Sequence, residues 1–377
     1  MYKKLLILAL FILFSYTIEA EVLGEISFTV SDGKMLVFGT VNNVTGFYAI
    51  DTGATDMLLF SPVSNLEAAY EAPFEFQMLG ETFNTMRYKV DTIYLGNVTI
   101  NGTFSVIKPP EHIIDLMPKE TRGIINPCVF NTAYVEFSFS EKKIKFHDSL
   151  PENYNESMPY TSSFPLPYVK IEIGGNSYVF LIDTGSNGTI SFPDEILSGI
   201  DAKNTFKVAV GGAVYYKEYA VFKSAGFSLF GHTYNNVVCE TNRLFGEEVG
   251  VIGLELLQHY DIVFDPFESE LYYSPLLPDA FYNMFFRKEV KRSGLTSFIY
   301  NEEGVAVTGI AVGSPAWKAG LRPGHIITKI NSYDAGGVSK DYAIRIFSSN
   351  DPVKIEYKDE SGAKKMARIK SKLLIRN

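Results

Sequence analysis

A largely apolar, strand-forming run over 35–41 stops at the polar pair Asn42-Asn43 and resumes through Gly46-Phe47-Tyr48-Ala49-Ile50. Such a run broken by a turn-forming pair predicts a β-hairpin. The pattern returns over 168–173, a Gly174-Gly175-Asn176 turn and 178–181. Each hairpin delivers the same tripeptide at the end of its second strand: Asp51-Thr52-Gly53 after Ile50, and Asp183-Thr184-Gly185 after Ile182. The copies lie 132 residues apart.

The downstream segments repeat as well. The 92–98 stretch resembles 226–232, and Gly123-Ile124-Ile125-Asn126 parallels Gly250-Val251-Ile252-Gly253. Both copies then run into apolar strands, at 133–137 and 260–265. A long internal repeat of this kind predicts two similar β-lobes, at 21–150 and 166–275. The stretch 148–167 is rich in Pro, Ser, Asn and Tyr and reads as the connector between them. Residues 279–292 have helical character, and their basic cluster reads as a solvated helix face. From Ser293 onward the style changes. Pro315 and Gly320 bracket a short helix, and a strand is expected at 326–330.

Composition adds little to this picture. Of 377 residues, 46% are hydrophobic and 20% charged, as in ordinary globular proteins. The net charge of −9 and the lack of a basic cluster give no footprint for nucleic acid. Lys3 and Lys4 precede an apolar run over 5–14, and small and polar residues follow to Ala20. This predicts a signal peptide at 1–20 and export to a periplasmic or extracellular space, or membrane tethering if the signal is retained. No integral membrane domain is expected after cleavage. The two cysteines, Cys128 and Cys239, fit either an inter-lobe bridge or two buried thiols. No metal-ligand spacing surrounds them, and the sequence calls for no metal or cofactor.

Two Asp-Thr-Gly loops suggest a chemistry. Carboxylates held close cannot both ionise comfortably, so such a pair shares one proton at working pH. The ionised member acts as base on a trapped water, while the protonated one polarises a carbonyl and later protonates the leaving amine.

These residues resemble the aspartic protease superfamily, especially its short-lobed retropepsin-like members. The resemblance implies a mostly β fold of two pseudo-symmetric closed-barrel lobes and an aspartic endopeptidase acting on protein or peptide substrates. It makes Asp51 and Asp183 the catalytic pair and Thr52 and Thr184 interlocking supports, with Gly53, Gly185 and Ser186 completing the loops. A monomer is expected. Hairpins near 76–88 and 206–219 are the candidate substrate-covering flaps, and Tyr88, Tyr215, Tyr216 and Asp56 are candidate cleft residues. Two positions depart from the family pattern. Asn126 replaces a usual glycine, and Ala54 in one loop faces Ser186 in the other. A Ser186 hydroxyl donating to Asp183 would make Asp183 the more readily ionised member.

The C-terminal part, 293–377, resembles a protease-associated PDZ domain with an α/β fold. Ser314-Pro315-Ala316, Ala319-Gly320-Leu321 and the 323–331 stretch carry this likeness. It implies a peptide-binding site at Gly294, Leu295, Thr296 and Phe298, with Thr296 where a glycine is usual. The alternative function is a catalytically inactive peptide-binding scaffold or chaperone.

Overall fold

A computed structural model describes residues 20–370 apart from 32, 61–65, 70–72, 79–80, 109–113, 115–116, 119, 128–131, 164, 200–204, 212–215, 224–225, 236–237, 242–247, 279–280, 282–292 and 302. The signal segment before Ala20, the basic helix expected at 279–292 (Phe281 apart), Cys128 and Tyr215 therefore lie outside the described residues. The chain is mostly β.

Strand β1 (Val22–Ser31) pairs antiparallel with β2 (Lys34–Val41), which pairs in turn with β3 (Val44–Ile50). Asn42 and Asn43 turn that hairpin with φ of 47° and 62°, the left-handed region that Asn tolerates among non-glycine residues. After β4 (Met57–Leu59) comes a separate hairpin, β5 (Phe74–Met78) and β6 (Glu81–Thr85). This is the first of the two hairpins expected as flaps; its tip, with Gly80, lies outside the described residues. Strands β7 (Tyr88–Leu95), β8 (Val98–Ile107) and β9 (Thr121–Ile125) follow. The pairing order β2-β3-β9-β4-β8-β7 returns to β2 and closes a six-strand barrel. Closure leaves no free edge within the ring. Met35, Val37, Tyr48, Ile50, Ile93 and Leu95 fill its core, as their alternation predicts.

Strands β10 (Tyr134–Ser138) and β11 (Lys143–His147) leave the barrel and carry the chain to β12 (Glu156–Ser163). The expected connector thus contains a strand, β12, paired with β13 (Leu166–Ile173). Its Pro and Ser residues did not prevent pairing because Pro159 sits at the end of one ladder, opposite Glu270, where few donors are needed. The hairpin of β13 and β14 (Asn176–Asp183) turns at Gly174 and Gly175, with φ of 60° and 84°. Then come β15 (Ile190–Phe192), β16 (Thr205–Gly211), β17 (Tyr216–Lys223), the small hairpin β18 (Phe227–Leu229) with β19 (His232–Tyr234), β20 (Val238–Thr241) and β21 (Val249–Gly253). Their order is β13-β14-β21-β15-β20-β17-β16.

Helix α1 (Leu254–Leu257) leads to β22 (Tyr260–Asp265) and β23 (Glu270–Pro275). These complete a sheet ordered β1-β11-β10-β22-β23-β12, which draws strands from both halves of the chain. Phe137 and Phe264 meet edge-to-face across it at 5.8 Å. Both are buried in a core that runs from the barrel into the second half. A buried aromatic of this size contributes about 2–3 kcal/mol by removal from water, so the sheet fixes the two halves against each other.

The last strands are β24 (Leu295–Asn301), β25 (Gly304–Ala311), β26 (Ile326–Ile330), β27 (Tyr333–Asp334), β28 (Val353–Lys358) and β29 (Lys364–Ile369). Helix α2 (Pro315–Lys318) is capped by the Ser314 hydroxyl, which accepts from the Trp317 amide. Helix α3 (Lys340–Ser348) is capped the same way by Ser339. These elements enclose their own core around Leu295, Ile310, Ile327, Phe347 and Ile355. Among the described residues no helix is long and apolar enough to cross a membrane.

Candidate functional site

Asp51 follows β3 and Asp183 ends β14, so each parallel ladder, β3 with β9 and β14 with β21, ends at a carboxylate-bearing loop. The loops meet through their threonines. The Thr52 amide donates to Thr184 Oγ1 (3.1 Å), and the Thr184 amide donates to Thr52 Oγ1 (3.0 Å). Each hydroxyl then donates across the junction, Thr52 to the Ile182 carbonyl (2.6 Å) and Thr184 to that of Ile50 (3.0 Å). Both threonines are fully buried, so these four bonds satisfy backbone groups that water does not reach.

The glycines explain the closeness of the carboxyls. A Cβ on Gly53 would lie 2.6 Å from Asp183 Cγ, and one on Gly185 would lie 2.2 Å from Asp51 Cγ. Only a residue without a side chain lets each loop approach the opposing aspartate. The Gly53 amide donates to Asp51 Oδ1 and the Gly185 amide to Asp183 Oδ1, both at 2.8 Å. Asp183 is 3% exposed, whereas Asp51 is only half-buried. Burial foremost, then the charge of Asp51 and a hydrogen bond with it, holds the Asp183 carboxyl well above the usual carboxylate range. The amide of Ser186 and the charge of Lys34 act in the opposite sense.

This reverses the expected asymmetry. Ser186 reaches Asp183 through its backbone amide (3.0 Å), and among the described contacts its hydroxyl makes no bond to that carboxyl. Burial, which the Ala54/Ser186 difference does not report, pushes the Asp183 carboxyl toward its protonated form.

Asn126 is also more than a tolerated departure. It is fully buried, and its amide donates to the carbonyls of Thr52 (3.2 Å) and Ala54 (2.8 Å). Asp56 is held by Arg87, with Nε at 3.0 Å and the terminal nitrogen at 2.7 Å. Arg87 lies between β6 and β7, a contact with no local sequence signal. Tyr88 is half-buried beside an isolated bridge to Ala68, and Tyr216 opens β17 opposite Gly211. Among the described residues no cluster of His, Cys, Asp or Glu could hold a metal ion. Cys239 is buried.

The 206–219 hairpin, expected as a flap, is tied down along one edge. Strand β16 pairs antiparallel with β25, with Val208 opposite Ala311 and Val210 opposite Gly309, and the Val312 amide donates to the Lys207 carbonyl at 2.8 Å. Val208, Val210, Tyr219, Val221 and Ala311 form a shared apolar cluster.

Of the predicted peptide-binding residues, Leu295, Thr296 and Phe298 lie on β24 and Gly294 directly precedes it. Gly294 has a φ of 89° and sits against Ser314, where a Cβ would lie 2.1 Å from Ser314 Cβ. Leu295 is fully buried, and its amide already donates to Ser293 Oγ (3.3 Å). Thr296 Oγ1 is a buried hydroxyl with no hydrogen-bond partner. Phe298 packs edge-on to Phe347 of α3 at 6.1 Å, so β24 lies against α3. No curated protein matches the chain. Among protein families, the PDZ domain matches residues 307–352, which run from within β25 past the end of α3, and this match suggests peptide or partner binding.

Proposed function

We propose that the chain is an exported aspartic peptidase in which two pseudo-symmetric lobes, 21–150 and 166–275, build one active site, followed by a PDZ domain that binds substrate or partner peptides. The observation that carries this reading is the reciprocal Thr52–Thr184 junction, which sets Asp51 and Asp183 against each other's glycines. The correspondence between the strand order of the barrel and that of β13 to β21 supports it.

In this reading the pair carries one proton and one negative charge. Asp183, the more buried carboxyl, holds the proton and polarises the scissile carbonyl. Asp51, open to solvent on one side, takes a proton from the attacking water. The tetrahedral intermediate then collapses as the amine leaves with a proton from the pair. The Gly53 and Gly185 amides keep the carboxyl planes fixed, so little reorganisation accompanies the proton transfers.

A peptide-library digest tests this. Wild type is expected to cleave, and Asp51→Asn and Asp183→Asn to fold but lose turnover. Near-normal turnover in either variant would refute a dyad mechanism.

The PDZ match favours a second reading, a peptide-binding scaffold without catalysis. Peptide binding with no cleavage by wild type in the same digest would select it.

A further inference from the structure

The ammonium of Lys34, at the start of β2, donates to the carbonyl oxygen of Gly185 in the opposing Asp-Thr-Gly loop. The Gly185 amide in turn donates to Asp183 Oδ1 at 2.8 Å. The neighbouring Gly33 brings the β1–β2 turn against the same loop: a Cβ there would lie 2.7 Å from Asn187 Cβ. This contact has no counterpart. Lys34 stands 17 residues before Asp51, and the same spacing before Asp183 falls on Leu166, which carries no charge. The charged groups that face Asp183 are Asp51, from the opposing loop, and Lys34, from β2. Among the described residues, Lys34 is thus the cation that acts on Asp183.

We infer that Lys34 is a positioning residue that holds the Gly185 loop in place and, through its charge, sets the pH range over which the aspartate pair stays singly ionised. The link to catalysis rests on the peptidase reading; the electrostatic claim does not. A half-buried cation near the more buried carboxyl favours the anionic pair. It keeps one charge on the pair at pH values where burial alone would leave both members protonated.

The test compares wild type, Lys34→Met and Lys34→Arg as full chains with aspartate labelled with 13C at the carboxyl. The Asp51 and Asp183 resonances are assigned from the Asn variants. In Lys34→Met the lower apparent pKa of the pair is expected to rise by about one unit, because the anion loses its cation. Lys34→Arg, which keeps the charge, is expected to titrate as wild type. The acidic limb of kcat/KM against pH is expected to move upward with the Met variant and not with the Arg variant. Melting curves confirm that each variant is folded; if Lys34→Met does not fold, Lys34→Gln takes its place. A purely structural role would weaken both variants without moving the titration. Indistinguishable titrations of wild type and Lys34→Met, or equal shifts in the Met and Arg variants, overturn the inference. If Lys34→Met shows the shift but wild type cleaves no peptide, the peptidase reading alone is overturned.

Discussion

The two Asp-Thr-Gly loops meet the same need with different atoms. In the second loop, the carbonyl of Ser186 accepts from the Leu254 amide at 2.7 Å, where α1 begins directly after Gly253. The strand registers place Ile50 beside Ile125 and Ile182 beside Ile252, so Asn126 stands where Gly253 does and Pro127 where Leu254 does. Proline has no amide hydrogen to give. The corresponding carbonyl, Ala54, is instead satisfied by the Asn126 side chain at 2.8 Å. What looked like a lost glycine is a substitution made necessary by the next residue. A repeated geometry does not need repeated residues, provided each buried backbone acceptor finds a donor.

The comparison yields tests, beginning with the largest effect. Gly185→Ala would drive a methyl into the Asp51 carboxyl, and cleavage is expected to fall by about 100-fold or more, since misplacing a catalytic group by an ångström has that consequence. Gly53→Ala makes the mirror-image intrusion on Asp183. If Gly185→Ala cleaves as well as wild type, the carboxyls do not work against the opposing glycines.

Next is the junction itself. Thr184→Val keeps the shape but removes the donor to Ile50 and the acceptor for the Thr52 amide. Two buried backbone groups are orphaned, and urea unfolding is expected to show a loss of about 2–5 kcal/mol. Thr52→Val should match it, because its bonds are the reciprocal ones. Unequal losses would show that the junction is not symmetric in energy.

Asn126→Gly is expected to destabilise by about 1–3 kcal/mol, because the Thr52 and Ala54 carbonyls lose their donor. Adding Pro127→Leu to it recreates the Gly-Leu pair of the second loop and should recover part of that loss. If the double variant recovers nothing, the Pro127 explanation is wrong.

The smallest effect is the pH dependence of stability. The Asp183 carboxyl is raised above its ordinary value chiefly by burial, so the folded state binds that proton more tightly than the unfolded chain does. The resulting stabilisation is complete below the unfolded carboxylate value and is lost as pH rises through the folded one. Asp183→Asn removes this loss. Its gain in Tm over wild type is expected to be larger at about pH 8 than at about pH 4. A gain that does not grow with pH would indicate that Asp183 is not the proton holder.

Much of this site could be read locally. The Asn42-Asn43 and Gly174-Gly175 turns, the strands β2 and β13, and the Pro315 start of α2 all follow from neighbours in sequence, and the structure has each of them. The Asp56–Arg87 pair, the Lys34 contact and the pairing of β16 with β25 could not be read this way. They join residues remote in sequence, and nothing in the flanking residues marks them. The strand within the connector was not legible for a related reason. Pro and Ser are turn formers in isolation, but two waiting strand edges, β13 and β23, drew 156–163 into a sheet.

The sequence by itself determined that two hairpins end in Asp-Thr-Gly, because period-two alternation and turn chemistry act over a few residues. It also determined the PDZ part, whose glycines, cap and strand lie close together in the chain. The tertiary structure alone decided which carboxyl is the more buried, which atom replaces a missing amide, and where a lone lysine places its charge. Those outcomes depend on burial and on distances between residues as much as 151 apart in the chain, and no local pattern encodes either.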